Sequence, residues 1–567
     1  MPLALWLAAT LAGVQLNADH ALTLDTQPLI SSRLFGLTAF EGFTAAVADP
    51  DYAARIAAIR PGCVRFSGSV AWYAPAEGQP LDAGIFGQTL LFGNRYPTGR
   101  FLPLCRRLGA EPMISLGGPP AWLKQPGTEH PSDLAKWADY CVQLVGLCRQ
   151  ADPSLRLVQI WNEPNASWFR DPRAGKDGGA LHHIELANTV AKALKAKFPD
   201  LMLGGPVLCW PPAWPANQQG QKPWYTWDQW TRPWLERTKD TIDFFDFHVY
   251  DVAPDDLAVQ IEMLSNEAER IQGRRLPIWI TESNVSLTDQ ELDDPRAVFT
   301  KRVLPYERLL LRAILPQADK VAGNLYHDLH ARSWALLRDA ARPEPTWWLL
   351  WILRDLRGTR LAVSNDLPNV DTLATIEDDR VTVVVFNDQG EPREVPLDIA
   401  LPGGWWTGPE ARAIGPTADG CGLVPANVKI ERQGGRATGS VSLPAWGTAS
   451  ISFRLTSFRQ PARRTVRREW FGDATRAYLT AGQPVTTTIA VPTPPTTARL
   501  RVGLLGTTGA EPLTASFNGR PLKLRATAFQ EIELPAGSVV ASNKLELATT
   551  AGDNPRLALA FAAVVGE

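Results

Sequence analysis

Residues 156–163 read RLVQIWNE, and residues 277–283 read PIWITES. Each is a short apolar run that ends on a glutamate, with Pro164 closing the first and the polar stretch after Ser283 closing the second. A brief apolar run bounded by turn signals reads as a buried strand. A carboxylate at the end of such a strand is costly unless a partner meets it. The fold therefore turns on whether these two strand ends come together.

Working outward, the same kind of strand recurs at 33–40, 63–68, 112–118, 201–207, 242–250 and 320–327. Helical patterns lie between many of them, among them DPDYAARIAAIR, PSDLAKWADYCVQLVGLCRQ, ELANTVAKALKAKF, DDLAVQIEMLSNEAERIQ and AVFTKRVLPYERLLLRAIL, with PTWWLLWILRDLRG as the last. Their apolar residues recur at three- and four-residue steps, and several open on acidic or proline residues. Eight strand–helix units over roughly 325 residues predict a (β/α)8 TIM barrel, an α/β fold that needs about 250 residues plus insertions. A doubly wound open sheet is the competing architecture, but its Gly-rich phosphate turn is missing, because the first strand ends LTAFEGF.

The pattern changes after Gly358. Alternating apolar and polar residues around turn signals predict an antiparallel β-sandwich over 358–458, to which the segment HALTLDTQPLI (20–30) is expected to add a strand. A basic linker, RQPARRTVRRE (459–469), leads into a second strand-rich region, and 459–567 reads as linker plus a jelly-roll-like sandwich. The barrel domain takes 19–357, including the short N-terminal strand segment.

With 567 residues, 45% hydrophobic and 20% charged, the chain has the composition of a soluble multidomain protein. A net charge of −2 gives no reason to expect a nucleic-acid or membrane partner. The six cysteines show no close ligand spacing, and Cys141 and Cys148, seven apart on a helix, read as structural thiols. Residues 1–18 are apolar through Leu16 and resemble a secretory leader, although no Lys or Arg precedes Arg33. The other reading is a buried strand. On the leader reading the protein is secreted or periplasmic, and otherwise cytoplasmic.

A barrel of this kind carries its site at the C-terminal ends of the strands. Those ends supply Glu41 after the first strand, Arg65 on the second, and Asn162 and Glu163 on the fourth. They also supply His248 and Tyr250 on the sixth, Glu282 on the seventh, and His327 and Asp328 on the eighth. Alternation puts His248 with Tyr250, and Ile278 and Ile280 with Glu282, on shared faces. Two carboxylates in different protonation states are what glycosidic cleavage needs: one protonates the leaving oxygen, and the other attacks or activates water. Arg65 near one Glu would keep it ionised, while aromatic burial would raise the pKa of the other.

WNEPN on the fourth strand and ITES on the seventh, with VRFSG and FDFHVY on the second and sixth, resemble the clan A glycoside hydrolases, most closely family 39. The resemblance covers roughly 33–357. It implies a retaining O-glycosidase that acts through a covalent glycosyl-enzyme, with Glu163 as acid/base and Glu282 as nucleophile. Asn162 is implied to bind the sugar 2-hydroxyl, Arg65 and Tyr250 to hold the nucleophile, and His248 to line the site. Because alternation would point Asn162 away from Glu163, the strand must end irregularly. The eighth strand departs from the family's aromatic ending, and Trp334 lies several residues beyond it as a sugar-stacking residue.

Trp122 in GGPPAWL is a further cleft-lining candidate. One or two of Trp210, Trp214, Trp224, Trp227, Trp230 and Trp234 are expected to touch substrate while the others pack. HHIE (182–185) and HDLH (327–330) lack a third ligand in the sequence, so no metal is expected, and no cofactor. The partner expected is a carbohydrate substrate. The alternatives are a catalytically silent carbohydrate-binding protein, or a metal-dependent barrel hydrolase, which would want an HxH on the first strand.

Overall fold

The structure, a computed structural model, describes residues 13–23, 29–39, 49–68, 70–73, 76–79, 81, 90–91, 94–95, 98–166, 179–213, 226–329, 335–338, 342–401, 406–456, 461, 463–466, 468–507, 509–550 and 557–566. Two compact units divide the chain. One comprises Ser31–Asp289, Pro305–Glu344 and Arg467–Glu567, and the other Met1–Ile30, Gln290–Leu304 and Pro345–Val466.

In the first unit, eight parallel strands close into a barrel in chain order: Gly36–Thr38, Cys63–Gly68, Glu111–Leu116, Leu157–Ile160, Met202–Leu208, Phe244–Tyr250, Ile278–Asn284 and Val321–His327. Local chemistry sets the helix limits. Pro50–Ala58 starts at Asp49, whose carboxylate accepts from the Asp51 amide at 2.8 Å, with Pro50 preset for the first helical position. Leu134–Ala151 is capped by Asp133, which accepts from the Lys136 amide at 2.9 Å. Pro254–Gln272 stops at Gly273, which takes the left-handed conformation (φ 70°) that side-chain-bearing residues resist. Helix Leu134–Ala151 buries Trp137, Cys141, Leu144, Val145 and Cys148 along one stripe. Burial pushes both thiols up, Cys148 to about 12, as fits packing residues. Thr98–Leu108 is a helix that the periodicity did not single out, and Pro103 interrupts its pattern.

The barrel interior is layered. Cys63, Met113, Leu157, Phe244, Trp279 and Leu325, one from each of six strands, form an apolar floor. Two residues farther along the strands come Arg65, Ser115, Gln159, Asp246 and Thr281, all buried. This second layer is polar, so each member must find a partner inside the barrel.

Arg467–Glu567 folds as two facing sheets. Arg468–Phe471, Ala558–Gly566, Ala498–Leu505 and Phe529–Leu534 lie in one, and Val485–Ala490, Ser542–Thr549, Leu513–Phe517 and Arg520–Leu522 form the other. Between them lies a core that includes Ile489, Leu500, Val502, Leu504, Leu545, Leu547 and Val564. This sandwich sits against barrel helix Pro254–Gln272, with Arg501 and Glu469 meeting Glu262 and Lys320.

The second unit is the other sandwich, whose last long strand is Thr448–Leu455. Val14–Thr23 is inserted between Gly358–Asn365 and Arg393–Ala400, and Leu29–Ile30 pairs with Gly358–Asn365, so the segment 20–30 adds strands to this sandwich as expected, although the expected barrel domain begins at residue 19. Val14, Leu16 and Ala18 are in the sandwich core, so residues 14–18 of the expected leader are part of the fold, while 1–12 lie outside the described residues. The basic stretch is not a free linker: Arg463–Val466 pairs with the N-terminal strand, and Arg468–Phe471 opens the C-terminal sandwich. No helix among the described residues is long and apolar enough to cross a membrane.

Candidate active site

The fourth strand ends at Ile160, and strict alternation ends with it. Trp161 and Glu163 take positive φ values of 79° and 48°. Each such conformation costs about 1–3 kcal/mol in a residue with a side chain and persists only where neighbours fix it. Here the Trp161 amide donates to Leu116 O and the Glu163 amide to Val207 O, both at 2.9 Å, while Ser115 Oγ donates to Trp161 O. The kink turns the Trp161 ring outward between Trp137 and His183 and leaves Asn162 and Glu163 at the barrel mouth. This is the irregular strand end that the motif required.

A different irregularity delivers Glu282. The expected inward face of Ile278, Ile280 and Glu282 is incorrect for its first two members: Trp279 is in the floor, and Thr281 reaches Gln159 across the barrel at 2.9 Å. Between the pairs Phe247–Ile280 and His248–Glu282 the register slips by one residue, so Glu282 follows Thr281 onto the inner face. A matching slip at Val207 (φ 57°) lies on the other side of the sixth strand.

Glu282 is held through both oxygens. Arg65 Nη1 donates to Oε1 and Tyr250 OH to Oε2, each at 2.7 Å. Imidazole nitrogens of His248 and His327 stand 3.4 and 3.6 Å from Oε2. Burial alone would raise this carboxyl, but the positive charge of His248, His327 and Arg65 and the Tyr250 hydrogen bond outweigh it and hold it well below the usual carboxylate range. Arg65 is itself fully buried, and its donors are spread over the cluster. Nε goes to Gln159 Oε1 and Nη2 to Asn162 Oδ1, both at 2.5 Å, with Ser115 Oγ at 3.4 Å.

Glu163 faces this group from the opposite side. Its Oε1 is 2.8 Å from His248 Nδ1, and the Cys209 thiol hydrogen-bonds to the same carboxylate. One atom each of Glu163, His248 and Glu282 lie within 4.8 Å of one another. The sequence predicted that aromatic burial would raise Glu163. Burial does push upward, but the His248 hydrogen bond and charge outweigh it, and the net shift is downward.

Gln159, Asp246, Ser115 and Cys209, to which sequence reasoning gave no role, complete the cluster together with His327, a candidate from the end of the eighth strand. Gln159 Nε2 donates to Asp246 Oδ2, and the Val207 amide donates to Oδ1 at 2.6 Å. Burial raises Asp246 to about 6 despite these donors. A signal was present, since Asp246 is a lone charge inside an apolar strand, two residues before His248. Of the other candidates, Glu41, Trp334, Trp214 and Trp224 lie outside the described residues. Trp122 sits edge-on to Tyr140 with Lys136 over its ring, which is a helix-packing position. Trp227, Trp230 and Trp234 are buried, while Trp210, next to Cys209, is exposed.

The Glu163, His248 and Glu282 trio has spacing suited to a cation. Both Glu282 oxygens already accept hydrogen bonds, however, and a metal there would stand beside a buried guanidinium of like charge. The arrangement suits proton transfer and nucleophilic attack better.

Residues 138–308, which hold every acidic member of the cluster, match the sequence family described as Glycosyl hydrolase catalytic core. A β-xylosidase of Geobacillus stearothermophilus is 28% identical over 147 residues, covering 23% of this chain and 28% of that protein's length. Among solved structures, a family 86 glycoside hydrolase in complex with neoagarooctaose superposes with a TM-score of 0.70 at 14% identity, covering 98% of both chains. A β-porphyranase of the same family from the human gut bacterium Bacteroides plebeius gives 0.69 at 12% identity, over 98% of this chain and 99% of that one. A monomeric β-xylosidase from Caulobacter crescentus gives 0.53 at 16% identity, covering 78% of this chain and 99% of that one. The chain therefore has the barrel fold of these glycosidases, and the family 86 likeness extends over nearly the whole chain.

Proposed function

We propose that the protein is a retaining glycoside hydrolase that cleaves O-glycosidic bonds in a polysaccharide or its oligosaccharides. The observation that carries this reading is the approach of Glu163 and Glu282 within 4.8 Å. Retaining enzymes keep their carboxyl groups about 5–5.5 Å apart, whereas inverting ones leave about 6.5–9.5 Å for a water. Glu282, held ionised, attacks the anomeric carbon while Glu163, as the acid, gives a proton to the departing oxygen. Forming the glycosyl ester removes the negative charge from Glu282. Glu163, now the base, takes a proton from water as that water opens the ester. Asn162 Oδ1 is committed to Arg65, so its amide hydrogens are the part available to a sugar hydroxyl. Trp210 offers an exposed aromatic face beside Cys209 for stacking on a sugar ring. Agarose- and porphyran-type galactans, suggested by the family 86 likeness, and xylans, suggested by the β-xylosidase match, are the substrates to test first.

The experiment separates the two glutamates. Glu163→Ala should nearly abolish cleavage of natural glycosides but spare glycosylation by activated aryl glycosides, whose leaving group needs no proton. The glycosyl-enzyme should then accumulate, and azide should release it as a glycosyl azide of retained configuration. Glu282→Ala should fail on both substrate types. Equal losses on good and poor leaving groups, with no azide product, would overturn the assignment.

A further inference from the structure

A second cluster of ligand-type side chains lies apart from the carboxylate pair. His182 and Glu185 are three residues apart on helix Gly179–Lys197, a spacing that puts both on one face. His130 meets them from the turn between the third barrel strand and helix Leu134–Ala151. One ligand atom from each of the three lies within 4.8 Å of the other two, and the His130 and His182 rings meet edge to face at 5.9 Å. The sequence offered HHIE without a third ligand because His130 belongs to a different loop.

His130 is held as a ligand would be. It is buried, and its turn is closed by the Gln125 amide donating to His130 O at 2.9 Å and the His130 amide donating to Thr128 Oγ1 at 3.1 Å. Its Nδ1 lies 3.0 Å from the Pro131 carbonyl and 3.3 Å from Gln125 Nε2; with its hydrogen on Nδ1, donated to the carbonyl, the ring presents the Nε2 lone pair to a metal. A backbone carbonyl that fixes the tautomer in this way is the usual support for a metal-binding imidazole. His182 is half-buried and Glu185 exposed, so both can move and solvent can reach the cluster.

We propose that His130, His182 and Glu185 bind a divalent transition-metal ion of the zinc type, with a fourth position open to water. Two imidazoles and one carboxylate suit zinc, cobalt or nickel better than calcium or magnesium, which prefer all-oxygen shells. Bonds of about 2.0–2.1 Å in a tetrahedron place ligand atoms roughly 3.3 Å apart, so a small rotation of the two accessible side chains closes the site. The ion would tie the loop after the third strand to the helix after the fourth. It takes no part in the proposed glycosidase chemistry, so the site stands or fails independently of that reading.

The test uses the full chain, stripped with a chelator and titrated with Zn2+ by calorimetry, with thermal melting alongside. One equivalent should bind and raise the Tm, and Co2+ should give the visible absorption of a tetrahedral site. His182→Ala should abolish binding and the absorption band, and Glu185→Gln should weaken binding about tenfold or more. The Tm of the stripped Glu185→Gln protein should match that of the stripped wild type, which separates loss of ligation from loss of folding. No saturable binding to the wild-type chain, or the same binding in both variants, would overturn the proposal.

Discussion

Removing the Arg65 guanidinium would leave the Glu282 carboxylate buried without the cation that contacts it directly. Glu282 is depressed in the folded state, so it stabilises the fold above the ordinary Glu pKa of about 4.3, and that stability is lost as pH falls through the folded value. Arg65→Ala should therefore cost about 3–5 kcal/mol and move the acidic limb of kcat/KM upward. Arg65→Lys should keep more of the limb but lose kcat, since a point charge cannot reach Gln159, Glu282 and Asn162 together. An unchanged pH–rate profile in Arg65→Ala would show that Arg65 serves the fold alone. Asp246 has the opposite sign. Its folded pKa is raised from 3.8 to about 6, so its contribution is complete below 3.8 and is lost as pH rises through 6. That amounts to about 2 kcal/mol between pH 4 and 8, and Asp246→Asn should flatten the pH dependence of unfolding by that amount whatever its constant effect. Equilibrium denaturation at several pH values reads it. At this scale the sequence was legible where a polar residue closed an apolar strand, as with Glu163, Glu282, His248 and Tyr250. Gln159, Asp246 and Ser115 lie one layer deeper, inside the strands, where only the closed barrel shows which residues face one another.

Strands were the easiest elements to read, because a parallel barrel buries both faces and leaves near-continuous apolar runs. Cys63–Gly68 has the limits expected, and the others lie within a few residues of theirs. Alternation within a strand was harder. The seventh strand has Ile278, Trp279 and Ile280 in succession, so hydrophobicity alone does not say which side faces inward, and the slip after Thr281 cannot be seen without the partner strand. Gly323 supplies the missing information, because a Cβ there would sit 2.3 Å from the Trp279 ring. Trp279 fits in the floor only because the neighbouring strand has no side chain at that point. Gly323→Ala should force the indole, and the strand that carries Glu282, to shift, costing about 1–3 kcal/mol with a fall in kcat larger than the change in KM. Denaturant midpoints and steady-state kinetics would show it, and a fully active, equally stable variant would mean that the floor yields more easily than a close-packed interior should.

The change from barrel to sandwich shows in the sequence as a change of periodicity, while chain order alone does not show where the fold returns on itself. A strand buried in a sheet and a leader's apolar segment share the same composition, so residues 14–18 fit either reading in the sequence and form a strand in the structure. The C-terminal sandwich shares a compact unit with the barrel, which favours a structural role for it. Lys320 lies 3.3 Å from both Glu262 of the barrel and Glu469 of the sandwich, and Arg501 reaches the same two carboxylates at 3.2 and 2.7 Å. All four side chains are largely removed from water, and Glu469 is held below its ordinary value: burial pushes it up, but Lys320 and Arg501 outweigh that. Glu469 therefore stabilises this interface above the ordinary Glu pKa and ceases to do so as pH falls through its folded value. Lys320→Met should strand two carboxylates beside a single guanidinium and cost about 3–5 kcal/mol, with faster hydrogen exchange in Arg468–Phe471. A paired change, Lys320→Met with Glu262→Met, should recover much of that loss, because Arg501 and Glu469 would still match and apolar replacements of a buried ion pair are often neutral. If the single variant lost less than about 1 kcal/mol, the value of an exposed pair, the sandwich would be held mainly by apolar contacts such as the close approach of Gly503 to Val259.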